Sequence, residues 1–329
     1  MPETPTPETI VIMQPLPASS LEYLRGEADV LLAYEGDDWQ SRAADIRALI
    51  YYSVKIDRTL LDQLPALEVI GKRGVGIDTI DLAATSARGI RITNIQGEDG
   101  NAVSVAEHGV ALLMAVRRRL PERDAFTRRG EFAGRMKLPL GNEVTGSRVG
   151  IVGAGNIGRK IAAMLAAAFG CQLGYYDPYI APAAAQSFPA TRFDEVGALF
   201  EWADNVVVAA PLTPESRNLI GRAELARLGP RGVLVVISRG GIVNEHDLAE
   251  ALTAGQIWGA GLDVYDGEPP APDNPLFGCE TAVLTPHVAG ATQESRERTS
   301  LSICQQVLAL LRGGTAPLAD QEWLQRTGG

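Results

Sequence analysis

Val149-Gly150-Ile151-Val152-Gly153-Ala154-Gly155-Asn156-Ile157-Gly158 places three glycines where an apolar strand must turn sharply into a helix. Arg148 to Val152 is a short β-prone run, and Ile157, Ile161, Met164, Leu165 and Ala168 then recur at the helical period. Gly153 permits the tight turn, Gly155 leaves room for a phosphate to touch backbone, and Gly158 lets the helix lie close on its sheet. The helix start adds unpaired N–H groups and a partial positive charge, so the turn suits a pyrophosphate.

A second β-prone run, Gln172 to Tyr176, ends in Asp177, nineteen residues beyond Gly158. That is where an acid takes the adenosine ribose hydroxyls of a dinucleotide. A carboxylate there repels a ribose phosphate, so the expected cofactor is NAD (as NADH in the reductive direction) rather than NADP. Further runs continue the series: Val206–Ala210, Val233–Ile237, Gly261–Val264 and Ala282–Leu284. Six strands with helical crossovers match a doubly wound sheet. Upstream, Ile10–Met13, Asp29–Tyr34, Ala48–Tyr52, Glu68–Ile70 and Arg91–Thr93 read as a five-strand α/β unit. Val103 to Arg117 is a long apolar helix that crosses between the two series, and Glu294 to Leu311 is a helix with no strand after it. The expected fold class is α/β with two doubly wound parallel-sheet domains. A Rossmann domain, 102–295, is inserted into a flavodoxin-like domain formed by 1–101 plus 296–329.

At 329 residues, 46% hydrophobic and 21% charged, the chain has room for two ordinary cores. Its net charge of −10 disfavours a nucleic-acid or anionic-membrane surface. Arg117, Arg118 and Arg119 form a basic cluster that reads as a solvated helix end compensating the dipole. Cys171, Cys279 and Cys304 are odd in number and lack metal-site spacing, which fits reduced thiols and no metal. No leader-like segment opens the chain and no uninterrupted apolar stretch of about eighteen residues occurs, so a cytoplasmic protein is expected.

Of three histidines, His108 in the crossover helix and His246 at a helix start read as structural or exposed. His287 is different, because Leu284-Thr285-Pro286-His287 follows the sixth strand directly, and parallel sheets place ligands beyond the carboxyl ends of their strands. Arg239 closes Val233–Ser238, and Glu268 lies just beyond Gly261–Val264. A carboxylate orients a histidine and raises its basicity, so it can exchange a proton with a hydroxyl near neutral pH. An arginine fork holds a carboxylate by two hydrogen bonds and polarises an adjacent carbonyl. These are the parts for moving a hydride between a nicotinamide and a 2-oxo or 2-hydroxy acid.

Gly71-Lys72-Arg73-Gly74-Val75-Gly76-Ile77-Asp78, Asn101-Ala102-Val103-Ser104-Val105-Ala106-Glu107-His108, Ala210-Pro211-Leu212-Thr213-Pro214-Glu215, Ser238-Arg239-Gly240-Gly241, Gly261-Leu262-Asp263-Val264 and Thr285-Pro286-His287 complete the set. With these motifs the chain resembles, over nearly its whole length, the D-isomer-specific 2-hydroxyacid dehydrogenases, which include glyoxylate/hydroxypyruvate reductases and D-3-phosphoglycerate dehydrogenases. The resemblance implies His287 as general acid/base, Glu268 as its partner and Arg239 as the substrate anchor. It implies that Val75 and Gly76 bind the substrate carboxylate through backbone N–H groups, with Ser53 beside the substrate. Asn156 and Ile157 would give amides to the pyrophosphate, Asp263 would fix the nicotinamide carboxamide, and Ser104, Pro211 and Ser238 would line the cofactor. A homodimer joined through the nucleotide domains is also implied.

Tyr52-Ser53-Val54-Lys55 stands where many phosphoglycerate enzymes carry an Arg-Ser pair, which suits an unphosphorylated substituent. Little sequence follows Leu311, so a short form without a regulatory domain is expected. A phosphoglycerate enzyme of serine synthesis stays open through an anion site of Lys55, Lys72 and Arg73. A non-enzymatic NADH-sensing corepressor is the reading from another class, and the intact Arg239, Glu268 and His287 set argues against it.

Overall fold

The structure is a computed structural model and describes residues 7–77, 79–96, 100–180 and 190–319. The chain divides into two compact units, Met1–Asn101 with Ala291–Gly329, and Ala102–Gly290.

The first unit contains β1 (Thr9–Ile12), α1 (Ala18–Glu27), β2 (Asp29–Leu32), β3 (Ile46–Tyr51), α2 (Arg58–Asp62), β4 (Val69–Lys72), α3 (Leu82–Ala87) and β5 (Arg91–Asn94). Its five strands are all parallel in the order β2-β1-β3-β4-β5, the flavodoxin-like order. Side chains alternate between two buried faces. Ile10, Ile12, Ala48 and Ile50 enter one cluster, and Val11, Leu49, Tyr51 and Ile70 the other, which is why these strands read as continuous apolar runs. Asp57 and Asp81 begin α2 and α3 by accepting the N–H groups of Leu60 and Ala84.

The second unit runs through α4 (Ala102–Arg118), α5 (Leu120–Arg128), β6 (Arg148–Val152), α6 (Asn156–Phe169), β7 (Gln172–Tyr176), β8 (Thr191–Arg192), α7 (Val196–Trp202), β9 (Asn205–Val208), α8 (Arg222–Leu228), β10 (Val233–Val236), α9 (Glu245–Thr253), β11 (Gly259–Leu262) and β12 (Ala282–Leu284). Its parallel sheet has the order β12-β11-β10-β9-β6-β7-β8. Strand order reverses between β6 and β9, and the glycine turn follows β6 at that switch point. The last helix, α10 (Gln293–Leu311), belongs to the first unit and buries Ile303, Cys304, Val307 and Leu308 against its sheet. A Cβ on Gly71 would lie 2.5 Å from Val307 Cγ2, so this glycine lets α10 close on β4.

Three sequence expectations are corrected. The second sheet has seven strands rather than six, because β8 is a two-residue exposed strand with no apolar run to announce it. The strand expected over Asp29–Tyr34 stops at Leu32, whose N–H donates to Asp37 Oδ2 at 2.7 Å while Ala33–Glu35 turns as a 3-10 segment. The third concerns Arg117, which is buried rather than solvated. Its Nε donates to Asn205 Oδ1 at 2.6 Å, Nη1 to Arg231 O at 2.8 Å and Nη2 to Asp204 O at 2.6 Å. Burial pushes this guanidinium down to about 10, which leaves it charged at neutral pH. Arg118 is exposed, and Arg119 pairs with Glu122 at 3.1 Å.

Candidate active site

The glycine turn can be tested position by position. Gly153 has φ +92°, and a Cβ there would lie 2.6 Å from Ala210 Cα. A Cβ on Gly158 would lie 2.2 Å from Gly153 O. Both glycines are therefore required by the protein's own packing. Gly155 is not, since a Cβ there would meet nothing within 4 Å. The space beside it, at the N-cap of α6, is where a phosphate could approach backbone; Asn156 and Ile157 open that helix.

Asp177 follows β7 and binds the turn itself. Its Oδ2 accepts Ala154 N–H at 2.9 Å, and its Oδ1 accepts Tyr179 N–H at 2.9 Å and Ile180 N–H at 3.0 Å. A carboxylate offers about four acceptor positions, so one remains on Oδ2 for a ribose hydroxyl. Ser238, after β10, has a buried Oγ with no hydrogen-bond partner among the described residues. Such an orphan is unusual in a folded interior and fits a contact to a bound group. Pro211 is exposed in the loop after β9, and Ser104 is buried in the first turn of α4. Together the open glycine, the spare acceptor and the orphan hydroxyl fit a dinucleotide.

Arg239, Glu268 and His287 follow β10, β11 and β12, which are successive neighbours in the sheet. Arg239 is half-buried and donates from Nη1 to Ser238 O at 2.8 Å. A Cβ on Gly240 would lie 1.8 Å from Tyr265 O, so only glycine lets the Arg239 loop press against the loop that carries Glu268. His287 Nδ1–H donates to Glu268 Oε2 at 2.5 Å, and Glu268 Oε1 accepts Tyr265 N–H at 3.2 Å. With Nδ1 occupied, Nε2 is the ring atom left to exchange a proton. The His287 backbone has φ +54°, a left-handed conformation that costs a side-chain-bearing residue free energy and persists only where surroundings impose it.

Those surroundings centre on Asp263, which is fully buried. Asp263 Oδ1 accepts Thr285 Oγ1–H at 2.6 Å and Val288 N–H at 2.9 Å, and Oδ2 accepts Ala289 N–H at 2.8 Å. It thereby grips the loop on both sides of His287. His108 reaches the same cluster from α4, with Nε2 at 3.0 Å from Thr285 Oγ1 and 3.5 Å from Asp263 Oδ1. His108, expected to be structural or exposed, is half-buried and structural here, but its partners lie far away in sequence. The available signal was its spacing four residues after Ser104, which puts both on one face of α4. His246 is exposed.

In the first unit, Gln14 Oε1 accepts the N–H groups of Tyr52 at 2.7 Å and Ser53 at 2.8 Å, and Gln14 Nε2 donates to Ser53 Oγ at 2.7 Å. Gln14 thus clamps the loop after β3. Val75 is exposed beside Gly76, and its carbonyl accepts Asn94 Nδ2–H at 2.6 Å. Lys72 is buried with Nζ 4.9 Å from the ring centres of both Tyr51 and Tyr52, and the Arg73 guanidinium lies 4.8 Å from that of Tyr52. Burial first, then the charge of Arg296, holds Arg73 below the ordinary arginine range. Lys55 does not join them: its Nζ is solvated and 3.9 Å from Asp57. Of the three cations through which a phosphoglycerate reading stayed open, Lys55 is therefore on the solvated rim.

The sequence model of the D-isomer specific 2-hydroxyacid dehydrogenase NAD binding domain matches residues 110–289. The chain is 40% identical over 261 residues to a hydroxyphenylpyruvate reductase of Plectranthus scutellarioides, covering 78% of this chain and 79% of that one. It is 34% identical over 310 residues to a D-3-phosphoglycerate dehydrogenase of Methanocaldococcus jannaschii, covering 93% of this chain and 58% of that one. The chain therefore spans little more than half the length of that relative. A solved 2-hydroxyacid dehydrogenase from Ketogulonicigenium vulgare superposes with a TM-score of 0.82 at 31% identity, covering 95% of this chain and 98% of the other. The chain belongs to the D-isomer specific 2-hydroxyacid dehydrogenase family, and residues 110–289 form its NAD-binding domain.

Proposed function

We propose that this protein is an NAD-dependent oxidoreductase that interconverts a small 2-oxo acid and the D-2-hydroxy acid. The observation that carries the reading is the 2.5 Å bond from His287 Nδ1–H to Glu268 Oε2, with Arg239 on the next strand end but one. When bound, the reduced nicotinamide supplies a hydride to the carbonyl carbon. His287 supplies the proton to the carbonyl oxygen from Nε2, and Glu268 stabilises the imidazolium before transfer. Arg239 holds the substrate carboxylate and polarises the carbonyl. To the Val75 and Gly76 amides we assign a substrate carboxylate, to Ser53 a place beside the substrate, and to residues 1–101 and 291–329 the role of substrate domain. Asn156, Ile157 and Gly155 take the pyrophosphate, Asp177 the ribose, and Ser104, Pro211, Ser238 and Asp263 the nicotinamide end. An engaged acid/base pair on adjacent strand ends favours an enzyme over an NADH sensor.

We further read the chain as a homodimer through its NAD-binding domains. Leu120, Phe132, Met136 and Leu140 are exposed between residues 120 and 140, the last two at 85%. Exposed apolar side chains gathered in one segment are what a subunit surface covers. The free thiols of Cys171, Cys279 and Cys304 support a reducing, cytoplasmic setting. No helix among the described residues is long and apolar enough to cross a membrane.

The test is a panel of 2-oxo acids with NADH and NADPH: glyoxylate, hydroxypyruvate, phosphohydroxypyruvate, and branched and aromatic members. His287→Ala should lower kcat by at least about a hundredfold on the best substrate while NADH binding persists. Near-normal turnover in that variant would sink the mechanism.

A further inference from the structure

Resting on the function proposed above, we infer that His108 is a positioning residue for the acid/base pair, acting through the Thr285 hydroxyl and Asp263 on the loop that carries His287. Thr285 has a single hydroxyl hydrogen and two acceptors within reach, Asp263 Oδ1 at 2.6 Å and Leu262 O at 3.4 Å. The shorter bond takes it. His108 Nε2, 3.0 Å from Thr285 Oγ1, then faces a lone pair and must itself carry hydrogen and donate. The same Nε2 lies 3.5 Å from Oδ1 of Asp263, a fully buried carboxylate.

Thr285 is the joint between this cluster and the reaction. Its carbonyl accepts His287 N–H at 3.1 Å and Tyr265 Oη–H at 3.0 Å, while Tyr265 N–H donates to Glu268. Tyr265 stays protonated, because burial and then Asp263, Glu245 and Glu268 raise its hydroxyl above the ordinary range. A tilt of Thr285 therefore reaches His287 through the backbone and Glu268 through Tyr265. The left-handed φ of His287 makes the loop sensitive to such a tilt, since that conformation holds only while its neighbours impose it. The titratable groups facing the pair and its supports are Glu268 after β11, Asp263 at the end of β11, His108 on α4, Tyr265 and Glu245 at the start of α9.

The experiment compares His108→Ala with His108→Gln, whose amide nitrogen can replace the Nε2 donor. The alanine variant should lose about tenfold in kcat with KM for the 2-oxo acid and NADH affinity little changed, and the glutamine variant should recover most of that loss. His108→Ala and Thr285→Val combined should lose no more than either alone, because both break one link. A second readout needs no turnover. The NMR titration of the His287 imidazole should shift in His108→Ala and return in His108→Gln. Equal losses in the alanine and glutamine variants, additive losses in the double variant, or an unchanged His287 titration overturn the inference. Absence of turnover in the wild-type protein across the substrate panel overturns the proposed function instead, and the titration still decides the role of His108.

Discussion

In the function proposed above, the Asp177 carboxylate has two purposes. Three of its acceptor positions hold backbone N–H groups of Ala154, Tyr179 and Ile180, and one on Oδ2 is left over, which the proposal gives to the ribose. Asp177→Ala should therefore do two things: raise the NADPH-to-NADH ratio of kcat/KM by about tenfold, since a like charge beside the added phosphate is gone, and lower stability by about 1–2 kcal/mol. Asp177→Asn separates these, because it loses the charge but keeps a carbonyl acceptor. Steady-state kinetics with both cofactors and chemical denaturation read the two effects, and unchanged cofactor preference in both variants would remove Asp177 from its assigned role. The place of Asp177 after β7 was legible in the sequence because it depends on local order, a strand end a fixed distance past the glycine turn. Its second purpose was not, because the bond to Ala154 joins two different strand ends.

At the scale of an element, α4 was read correctly as a long apolar helix and wrongly at its end. Arginines in a last turn ordinarily face water and the helix dipole. Here Gly259 and Gly261 on β11 have no side chains to hold α4 away; a Cβ would lie 2.8 Å from Val116 Cγ1 and 3.0 Å from Leu112 Cβ respectively. The helix lies close on its sheet, and Arg117 ends among the carbonyls of Asp204 and Arg231 and the side chain of Asn205. Arg117→Ala should destabilise the protein by about 3 kcal/mol, because the buried Asn205 Oδ1 and the part-buried carbonyls of Asp204 and Arg231 lose their donor together. Urea denaturation followed by circular dichroism measures it, and a change below about 1 kcal/mol would mean that water replaces the guanidinium. The strands behaved better. All six apolar runs of the second sheet are present, and the one missed, β8, is short and exposed, with no period to detect.

At the scale of the whole molecule, the exposed Leu120, Phe132, Met136 and Leu140 call for a covering surface. The protein should run in light-scattering chromatography at twice the chain mass, and Met136→Asp with Leu140→Asp should shift it to one chain mass with little change in circular dichroism. A wild-type monomer at micromolar concentration would remove the dimer from the reading.

What the sequence determined alone was everything carried by local order. The β6-turn-α6 unit is one such feature, the alternation of apolar strands and helices in both sheets another, and the placement of Arg239, Glu268 and His287 at strand ends a third. Each is set by neighbours within a few residues, through glycine's conformational freedom and the periods of strand and helix. Tertiary structure alone decided the partners of Arg117 and His108. Arg117 meets Asn205 across 88 residues of sequence, and His108 meets Thr285 across 177. A polar side chain on a helix has the same local pattern whether it faces water or a buried acceptor, and only the packing of α4 onto the sheet distinguishes the two. The glycine turn announced a cofactor; the packing behind it placed His108 beneath the loop that holds His287.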